Sequence, residues 1–307
     1  MCHQNEQQVQ FLIQKCIHDK VHIFIHIDKK TIFSDNFYDF VKKQKNVHLI
    51  KRRLSAKLFS KELVQIPLLA IKSIKSFEKN QNIHFTYYCL LSGQDCLVKN
   101  ISYIVDQLKK SYPKPYIDCT PYNNNNWMYE HFNHSVFYKK ITNLCTKYKN
   151  NKPLYLVLRK IKSACSKISN KNTIIFNLTK LNIKVYGGSE WWILPDILID
   201  YIFNEYIKRK PYIKYLLYDG SPDETFFQTV AMKSKYSNLI EVNGWNKVRQ
   251  NSKTYAFFYD SKHPFKGHPY NIDLHMTIKL HNDKNYFFAR KYDLSNDKEL
   301  YQYLLNI

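Results

Sequence analysis

Apolar segments of strand length alternate along this chain with longer segments in which apolar residues recur at helical spacing. Residues 21–28 (VHIFIHID), 46–51 and 83–91 are rich in β-branched and aromatic side chains, which is typical of buried strands. Residues 61–78 and 102–112 have the period of amphipathic helices. This alternation predicts an α/β fold in which a ligand binds at the carboxyl ends of the strands.

Prolines and turn residues predict several element boundaries. Pro67 lies within residues 61–78, and because proline is tolerated only in the first turn of a helix, we expect the regular helix to begin near Gln65. Residues 214–218 are short and apolar, and we expect them to form a strand. The sequence contains no internal repeat and no interdomain linker, so it predicts one domain over residues 1–307.

The segment SPDETFF combines several signals for the start of a helix. Pro222 fits the first helical position, and Ser221 before it can cap the N-terminus. Asp223 and Glu224 place negative charge where the helix dipole favours it. We therefore expect one helix from Pro222 through Met232.

The chain carries a strong excess of positive charge. Its 47 Lys and Arg residues against 25 Asp and Glu give a formal net charge of +22, which favours nucleic acid, an anionic membrane surface or a phosphorylated substrate as the partner. The 44% hydrophobic content excludes an intrinsically disordered chain. Charge alone does not choose between these partners, because three basic clusters are expected to be solvated faces: Lys42, Lys43 and Lys45; Lys51, Arg52 and Arg53; Lys208, Arg209 and Lys210.

Neither a membrane span nor a metal site is expected. No run approaches the ~18 apolar residues that cross a bilayer, and residues 1–10 lack the apolar core of a signal peptide, so we expect a soluble protein. The seven cysteines include no CxxC pair, which favours reduced thiols in a cytoplasmic protein. His131 and His134 form an HxxH pair without a third ligand nearby, so a structural role is favoured over metal binding.

Four local signals occur in a fixed order along the chain. By itself, each has a simple structural interpretation as a strand end, a turn, an aromatic core patch or a helix start. They are HIDKK at residues 26–30, LLSGQD at 90–95, GGSEWW at 187–192 with SPDETFF at 221–227, and FFARKYD at 287–293. As an ordered set that covers most of the chain, they resemble the family of core 2/I-branching β-1,6-N-acetylglucosaminyltransferases and peptide xylosyltransferases.

The resemblance implies a GT-A type nucleotide-sugar-binding fold with a Rossmann-like central sheet. Residues 20–120 would then bind the nucleotide, and residues 150–307 would hold the acceptor and the catalytic group. Members of this family transfer a sugar from a UDP-sugar with inversion and without a DxD-bound metal, so no metal and no other cofactor is expected. Side chains must then offset the charge of the leaving diphosphate.

The same resemblance assigns Glu224 as the general base that takes the proton of the acceptor hydroxyl. From the residues alone, the alternative is a carboxylate that stabilises a helix N-terminus, and Asp223 fits that role as well. Asp223 and Trp245 are assigned to the acceptor side, where an aromatic face packs well on the C–H surface of a sugar.

Seven further residues are assigned to the donor side, six by the resemblance and Val64 as the nearest apolar side chain that could pack on the base. Arg290 and Lys291 would replace the charge of a metal on the diphosphate, with a solvated strand end as the alternative. Turn formation is the alternative for the two aspartates of this group, and core packing is the alternative for its valine and its tryptophan. The seven residues are Asp28, Val64, Asp95, Glu190, Trp191, Arg290 and Lys291.

Two departures from the family pattern leave the donor sugar open, with GlcNAc and xylose favoured. Residues 55–58 (SAKL) replace a SWGG-like segment that packs near the uracil in relatives. A basic residue that some relatives carry beyond Trp245 has no clear counterpart, although Lys266 can substitute for it.

The resemblance and the charge together predict a cytoplasmic enzyme that transfers a sugar from a UDP-sugar to a hydroxyl of a surface glycan, such as lipopolysaccharide or capsule. An enzyme that extends a lipid-linked glycan would meet an anionic membrane face, which would account for the net charge. The alternative is a basic nucleic-acid-binding protein, but the sequence contains no recognised nucleic-acid-binding module and no basic arm.

Overall fold

The structure is a computed structural model that describes most of the chain as a mixed α/β protein. The described residues are 1–57, 60–122, 141, 144–145, 148, 151–169, 174–218, 221–242, 251–256, 270–295 and 297–307. The helices in these residues are α1 Glu6–Lys15, α2 Asp35–Lys42, α3 Glu62–Gln81, α4 Ile101–Ser111, α5 Lys152–Ser169, α6 Ile174–Lys180, α7 Asp196–Ile207, α8 Pro211–Leu217, α9 Phe226–Met232, α10 Leu274–Asn282 and α11 Lys298–Leu305.

The strands are short and lie in small sheets. They are β1 Ile23–Ile25, β2 Val47–Leu49, β3 Tyr87–Cys89, β4 Cys96–Leu97, β5 Tyr116–Ile117, β6 Thr120–Pro121, β7 Tyr186–Gly187, β8 Trp192–Pro195, β9 Thr254–Ala256 and β10 Phe288–Arg290. Strands β1 and β2 pair in parallel, and β6 pairs antiparallel with β7. The α/β class is confirmed, but within the described residues the strands do not form the single central sheet that we expected.

The two remaining sheets join distant parts of the chain. Strand β8 lies between β3 and β5 and is antiparallel to both. Strand β10 lies between β4, to which it is antiparallel, and β9, to which it is parallel. Strands β3, β4 and β5, from the first 120 residues, therefore depend on partners near residues 190 and 290 for their hydrogen bonds.

Local capping explains several helix starts. The side chain of Ser34 accepts a hydrogen bond from the N–H of Phe37 at the start of α2. Asp273 and Asp297 do the same for α10 and α11. Helices α2, α6 and α10 were not predicted from the sequence, because all three are shorter than ten residues and show no clear helical period.

The largest core cluster lies where α3, α7, α8 and α9 pack around β3 and β8. Val64 belongs to this cluster and has 0% of its surface exposed. Trp192 of β8 packs on Phe227 of α9 with ring centroids 4.9 Å apart. The core therefore fixes β8 against the helix that follows the SPDE segment.

Two predicted boundaries are wrong. Helix α3 begins at Glu62, not near Gln65, and it includes Pro67 in its interior. Residues 214–218 belong mostly to helix α8 rather than to a strand, because Tyr212, Ile213 and Leu216 form a buried face at helical spacing.

The predicted helix from Pro222 through Met232 is divided in two. Pro222–Glu224 is a 3-10 turn, and α9 starts after Thr225, whose backbone has non-helical dihedral angles. Asp223 and Glu224 therefore lie in a separate turn just before α9, not in the first turn of one long helix.

In the described part of the chain, no helix combines the length and the apolar character that a membrane span needs.

Candidate active site

Arg290, the last residue of β10, lies at the centre of a cluster of charged side chains and is only 6% exposed. Its Nη1 atom donates a hydrogen bond of 2.8 Å to Oε1 of Glu190. Its Nε atom lies 3.5 Å from Oδ1 of Asp95, and its Cζ atom lies 4.0 Å from the ring centroid of Trp191. Two carboxylates and an aromatic face thus fix the guanidinium in place. We call Asp95, Glu190, Trp191 and Arg290 the Arg290 cluster.

The turn after β3 holds Asp95 in position to pair with Arg290. Ser92 donates to Asp95 twice, from its N–H to Oδ2 at 2.7 Å and from its hydroxyl to Oδ1 at 2.8 Å. Burial raises the pKa of Asp95, while the charge of Arg290 and the hydrogen bonds from Ser92 oppose this effect. Asp95 has 0% exposure, so in this structure it orients Arg290 and does not face a ligand directly.

Lys291 follows Arg290 and is the more accessible of the two cations. Its side chain is half-buried, and burial and the charge of Arg290 lower its pKa, against the opposing effect of Glu190 and Asp95. The structure therefore places an ammonium group beside a guanidinium that its own carboxylates already neutralise.

Glu190 also lies close to the carboxyl groups of Asp223 and Glu224. Burial raises the pKa of Asp223 well above the ordinary range, and the charges of Glu190 and Glu224 and a hydrogen bond with the Glu190 side chain raise it further. Two carboxyl groups can share a hydrogen bond only if one of them carries a proton. We call Glu190, Asp223 and Glu224 the carboxyl cluster.

Backbone contacts bring the GGSEWW and SPDE segments together. The N–H of Gly188 donates to the carbonyl oxygen of Glu224 at 2.9 Å, and Nε2 of Gln228 donates to the carbonyl of Ser189 at 2.6 Å. A Cβ atom at position 188 would lie 1.9 Å from the carbonyl oxygen of Asp118, so only glycine fits this close approach. The glycine pair therefore brings Glu190 to the turn that carries Asp223 and Glu224.

Asp28 follows β1, and its carboxylate accepts hydrogen bonds from the N–H groups of Lys30 and Ala56, both at 2.9 Å. Burial alone would raise the pKa of Asp28, but these hydrogen bonds outweigh it, and the pKa is lowered overall. Asp28 therefore stays ionised at neutral pH.

Arg53 fixes the loop that contains Asp28. Its guanidinium donates to the carbonyl oxygens of Ile27 at 3.1 Å and Asp28 at 2.6 Å, and also to that of Thr31. The sequence predicted a solvated face for the basic cluster that contains Arg53, and for this side chain the prediction is wrong. A guanidinium can donate hydrogen bonds to several carbonyl groups at once. No sequence signal distinguished Arg53 from its basic neighbours.

His3 is a second residue that the sequence analysis missed. Partial desolvation lowers the pKa of its imidazole, the charges of Lys291 and Arg290 lower it further, and Asp28 opposes them. The carbonyl of His3 also accepts a hydrogen bond of 2.8 Å from the Thr31 hydroxyl. His3 thus connects the Asp28 loop electrostatically to the two cations after β10.

The structure brings eight of the ten predicted site residues into one region. Trp191 lies in this region but is buried beneath Arg290, and Val64 lies apart, in the largest core cluster. Trp245, Lys266, His131 and His134 lie outside the described residues. The eight are Asp28, Asp95, Glu190, Trp191, Asp223, Glu224, Arg290 and Lys291.

Among the described residues, no three or more His, Cys, Asp or Glu side chains are arranged to hold a metal ion. Comparison of the chain with models of protein families and with curated protein sequences gave no match. The resemblance to a glycosyltransferase family therefore depends on the motifs themselves.

Proposed function

We propose that this chain is an inverting glycosyltransferase that moves a sugar from a UDP-sugar to a hydroxyl of a glycan. One observation carries the proposal: four carboxyl groups and two cations, from segments up to about 200 residues apart in sequence, lie in one region. Inverting transfer needs one carboxylate as a base and a positive charge for the diphosphate that leaves.

In the proposed reaction, the acceptor hydroxyl oxygen attacks C1 of the donor sugar. Its proton passes to the carboxylate of Glu224, and the bond from C1 to the phosphate oxygen breaks as the new glycosidic bond forms. The UDP leaves with the electron pair of that bond. Asp223, which holds a proton readily, keeps an additional negative charge away from Glu224 and from the leaving diphosphate.

The two cations have different parts in this proposal. Arg290 is a positioning residue, because its Nη1 and Nε atoms already face Glu190 and Asp95 and it is nearly buried. Lys291 is half-buried beside it and offers its charge to the diphosphate. Asp28 and Glu190 are partly exposed carboxylates that can accept hydrogen bonds from hydroxyl groups of the donor.

The finer features of the proposal come from the motif resemblance. They are a GT-A type fold, UDP-GlcNAc or UDP-xylose as the donor, transfer without a metal, and a lipopolysaccharide or capsule glycan as the acceptor. Trp245 keeps its proposed place on the acceptor side.

The test of the base is Glu224→Gln, with release of UDP from UDP-GlcNAc and UDP-xylose measured against a panel of glycoside acceptors. We expect turnover to fall by about 100-fold or more with little change in UDP affinity, because only proton transfer is lost. Glu299→Gln, an exposed substitution on α11, is the matched control and should keep full activity. A variant that loses UDP binding but keeps its turnover would place Glu224 outside catalysis.

The donor site is tested by thermal shift with UDP, GDP, CMP and a short oligonucleotide at physiological salt. UDP should stabilise the protein in a saturable way, and Lys291→Ala should reduce this shift, because ligand binds only to the folded state. Activity that EDTA abolishes and Mn²⁺ restores would contradict transfer without a metal. A salt-resistant response to the oligonucleotide without a response to UDP would contradict the glycosyltransferase proposal.

A further inference from the structure

Helix α5 exposes a row of apolar side chains. Leu154, Val157 and Ile161 follow each other at helical spacing and have exposed fractions of 37%, 54% and 38%. Leu156 on the same helix is 57% exposed. Such a row on an isolated surface helix is unfavourable in water and is typical of a surface that binds another phase or another molecule.

The side of α5 next to this row is packed. Leu158 and Tyr155 contact a small cluster formed with Ile141, Cys145 and Tyr148. Leu158 lies one turn after Leu154, so this packing covers one edge of the row and leaves Leu154, Val157 and Ile161 exposed. We call this row, together with the exposed basic side chains of α5, the α5 surface.

The stretch of sequence that contains α5 is strongly basic. Residues 131–189 contain twelve Lys and Arg and no Asp or Glu, so this segment carries +12 of the net charge of +22. On α5 itself, Lys152, Arg159 and Lys160 are exposed. Exposed apolar side chains and unopposed positive charge thus occur on one helix, which is the composition of helices that lie in the interface of an anionic bilayer.

We propose that the α5 surface is a peripheral membrane-binding site for anionic lipids. Its apolar row enters the boundary between headgroups and acyl chains, while its Lys and Arg side chains bind lipid phosphates. A nucleic acid would bind the basic side chains but would leave the apolar row in water. A second copy of the chain would bring the same positive charge to both sides of the contact.

The proposal goes beyond the glycosyltransferase activity and is tested by vesicle co-flotation at 0.15 M salt. The vesicles contain phosphatidylcholine alone or with one fifth phosphatidylglycerol, and we expect the protein to float only with the anionic ones. Val157→Gln with Ile161→Gln should weaken binding about tenfold, because two exposed apolar side chains no longer enter the interface. Lys152→Gln with Lys160→Gln should weaken it about 25-fold, or about fivefold per charge.

Matched controls separate the α5 surface from the total charge and from folding. Lys109→Gln with Lys110→Gln removes two exposed charges from α4, and Ile207→Gln with Ile278→Gln removes two exposed apolar side chains from other helices. Both controls should float as the unchanged protein does. Each α5 variant should keep its thermal shift with UDP, which separates this proposal from the proposed function.

Three outcomes would overturn the proposal. One is that the protein does not float with anionic vesicles, and another is that the controls weaken flotation as much as the α5 variants do. The third is that the charge variant loses affinity for an oligonucleotide while Val157→Gln with Ile161→Gln leaves flotation unchanged, which would assign the surface to nucleic acid.

Discussion

The protonation of Asp223 depends on its burial and on the two carboxyl groups beside it. Folding moves it from water to a buried position beside Glu190 and Glu224, so the folded state binds its proton more tightly than the unfolded state does. The stabilisation that the protonated Asp223 side chain contributes is therefore fully present below the ordinary Asp pKa. It is lost as the pH rises through the raised pKa of the folded state.

Asp223→Asn should remove this pH dependence, because the amide keeps a hydrogen-bond donor toward Glu190 and can never ionise. We expect the variant to be more stable than the unchanged protein by about 1 kcal/mol at pH 8, the usual size of a single-residue effect. The difference should vanish at pH 4. Urea unfolding at the two pH values measures it.

The control for this prediction is Asp106→Asn on α4, which changes the net charge equally at an exposed position. An equal gain at pH 8 from Asp106→Asn would assign the effect to net charge instead of to the carboxyl cluster.

Site residues that belong to a sequence motif were predictable, whereas residues that are placed by backbone contacts were not. The motifs brought attention to Glu190, Glu224 and Arg290, although no local pattern shows that a guanidinium faces two carboxylates from distant segments. The sequence analysis missed Arg53 and His3, because their partners are carbonyl oxygens and charges that only the folded chain brings near them.

At the scale of elements, the loop after β1 depends on one side chain. Arg53 holds the carbonyl oxygens of Ile27, Asp28 and Thr31, and the same loop presents the Asp28 carboxylate. Arg53→Lys keeps the charge but replaces a planar fork of donors with a single ammonium.

We expect Arg53→Lys to lower the free energy of unfolding by about 2 kcal/mol, because buried carbonyl groups lose charged hydrogen-bond donors. The thermal shift with UDP should also shrink, since Asp28 loses its fixed position. Arg52→Lys, an exposed neighbour, should change neither quantity. Equal effects of the two variants in urea unfolding would contradict the special role of Arg53.

Long amphipathic helices were predictable, whereas short or interrupted elements were not. The period of α3 and α4 is clear from the residues, because apolar positions repeat at helical spacing in each. Residues 214–218 show why a short run fails, since leucine and tyrosine side chains fit a strand or a buried helix equally well. The packing of Ile213 and Leu216 in the core favours the helix.

At the scale of the whole molecule, strands from early and late segments complete each other's sheets. Strand β8 joins β3 to β5, and β10 joins β4 to β9. Which strands pair over such distances depends on tertiary packing and not on a local pattern, so the small separate sheets could not be predicted from the sequence.

Because of this shared pairing, we expect the protein to unfold in one cooperative transition. Differential scanning calorimetry should give a single peak whose calorimetric and van't Hoff enthalpies agree. Two resolved transitions, with residues 1–120 melting separately, would show that the two parts of the chain fold independently.

The Arg290 cluster also affects how strongly the protein binds small anions of the cell such as inorganic phosphate. An uncovered guanidinium would attract inorganic phosphate at all times, but this one is neutralised by Glu190 and Asp95 before any ligand arrives. We therefore expect inorganic phosphate to compete weakly with UDP, and a phosphate titration of the UDP thermal shift would show strong competition if the cluster does not screen Arg290. A site that supplies its own counter-ions can remain empty among abundant competitors until a ligand with more than a single phosphate reaches it.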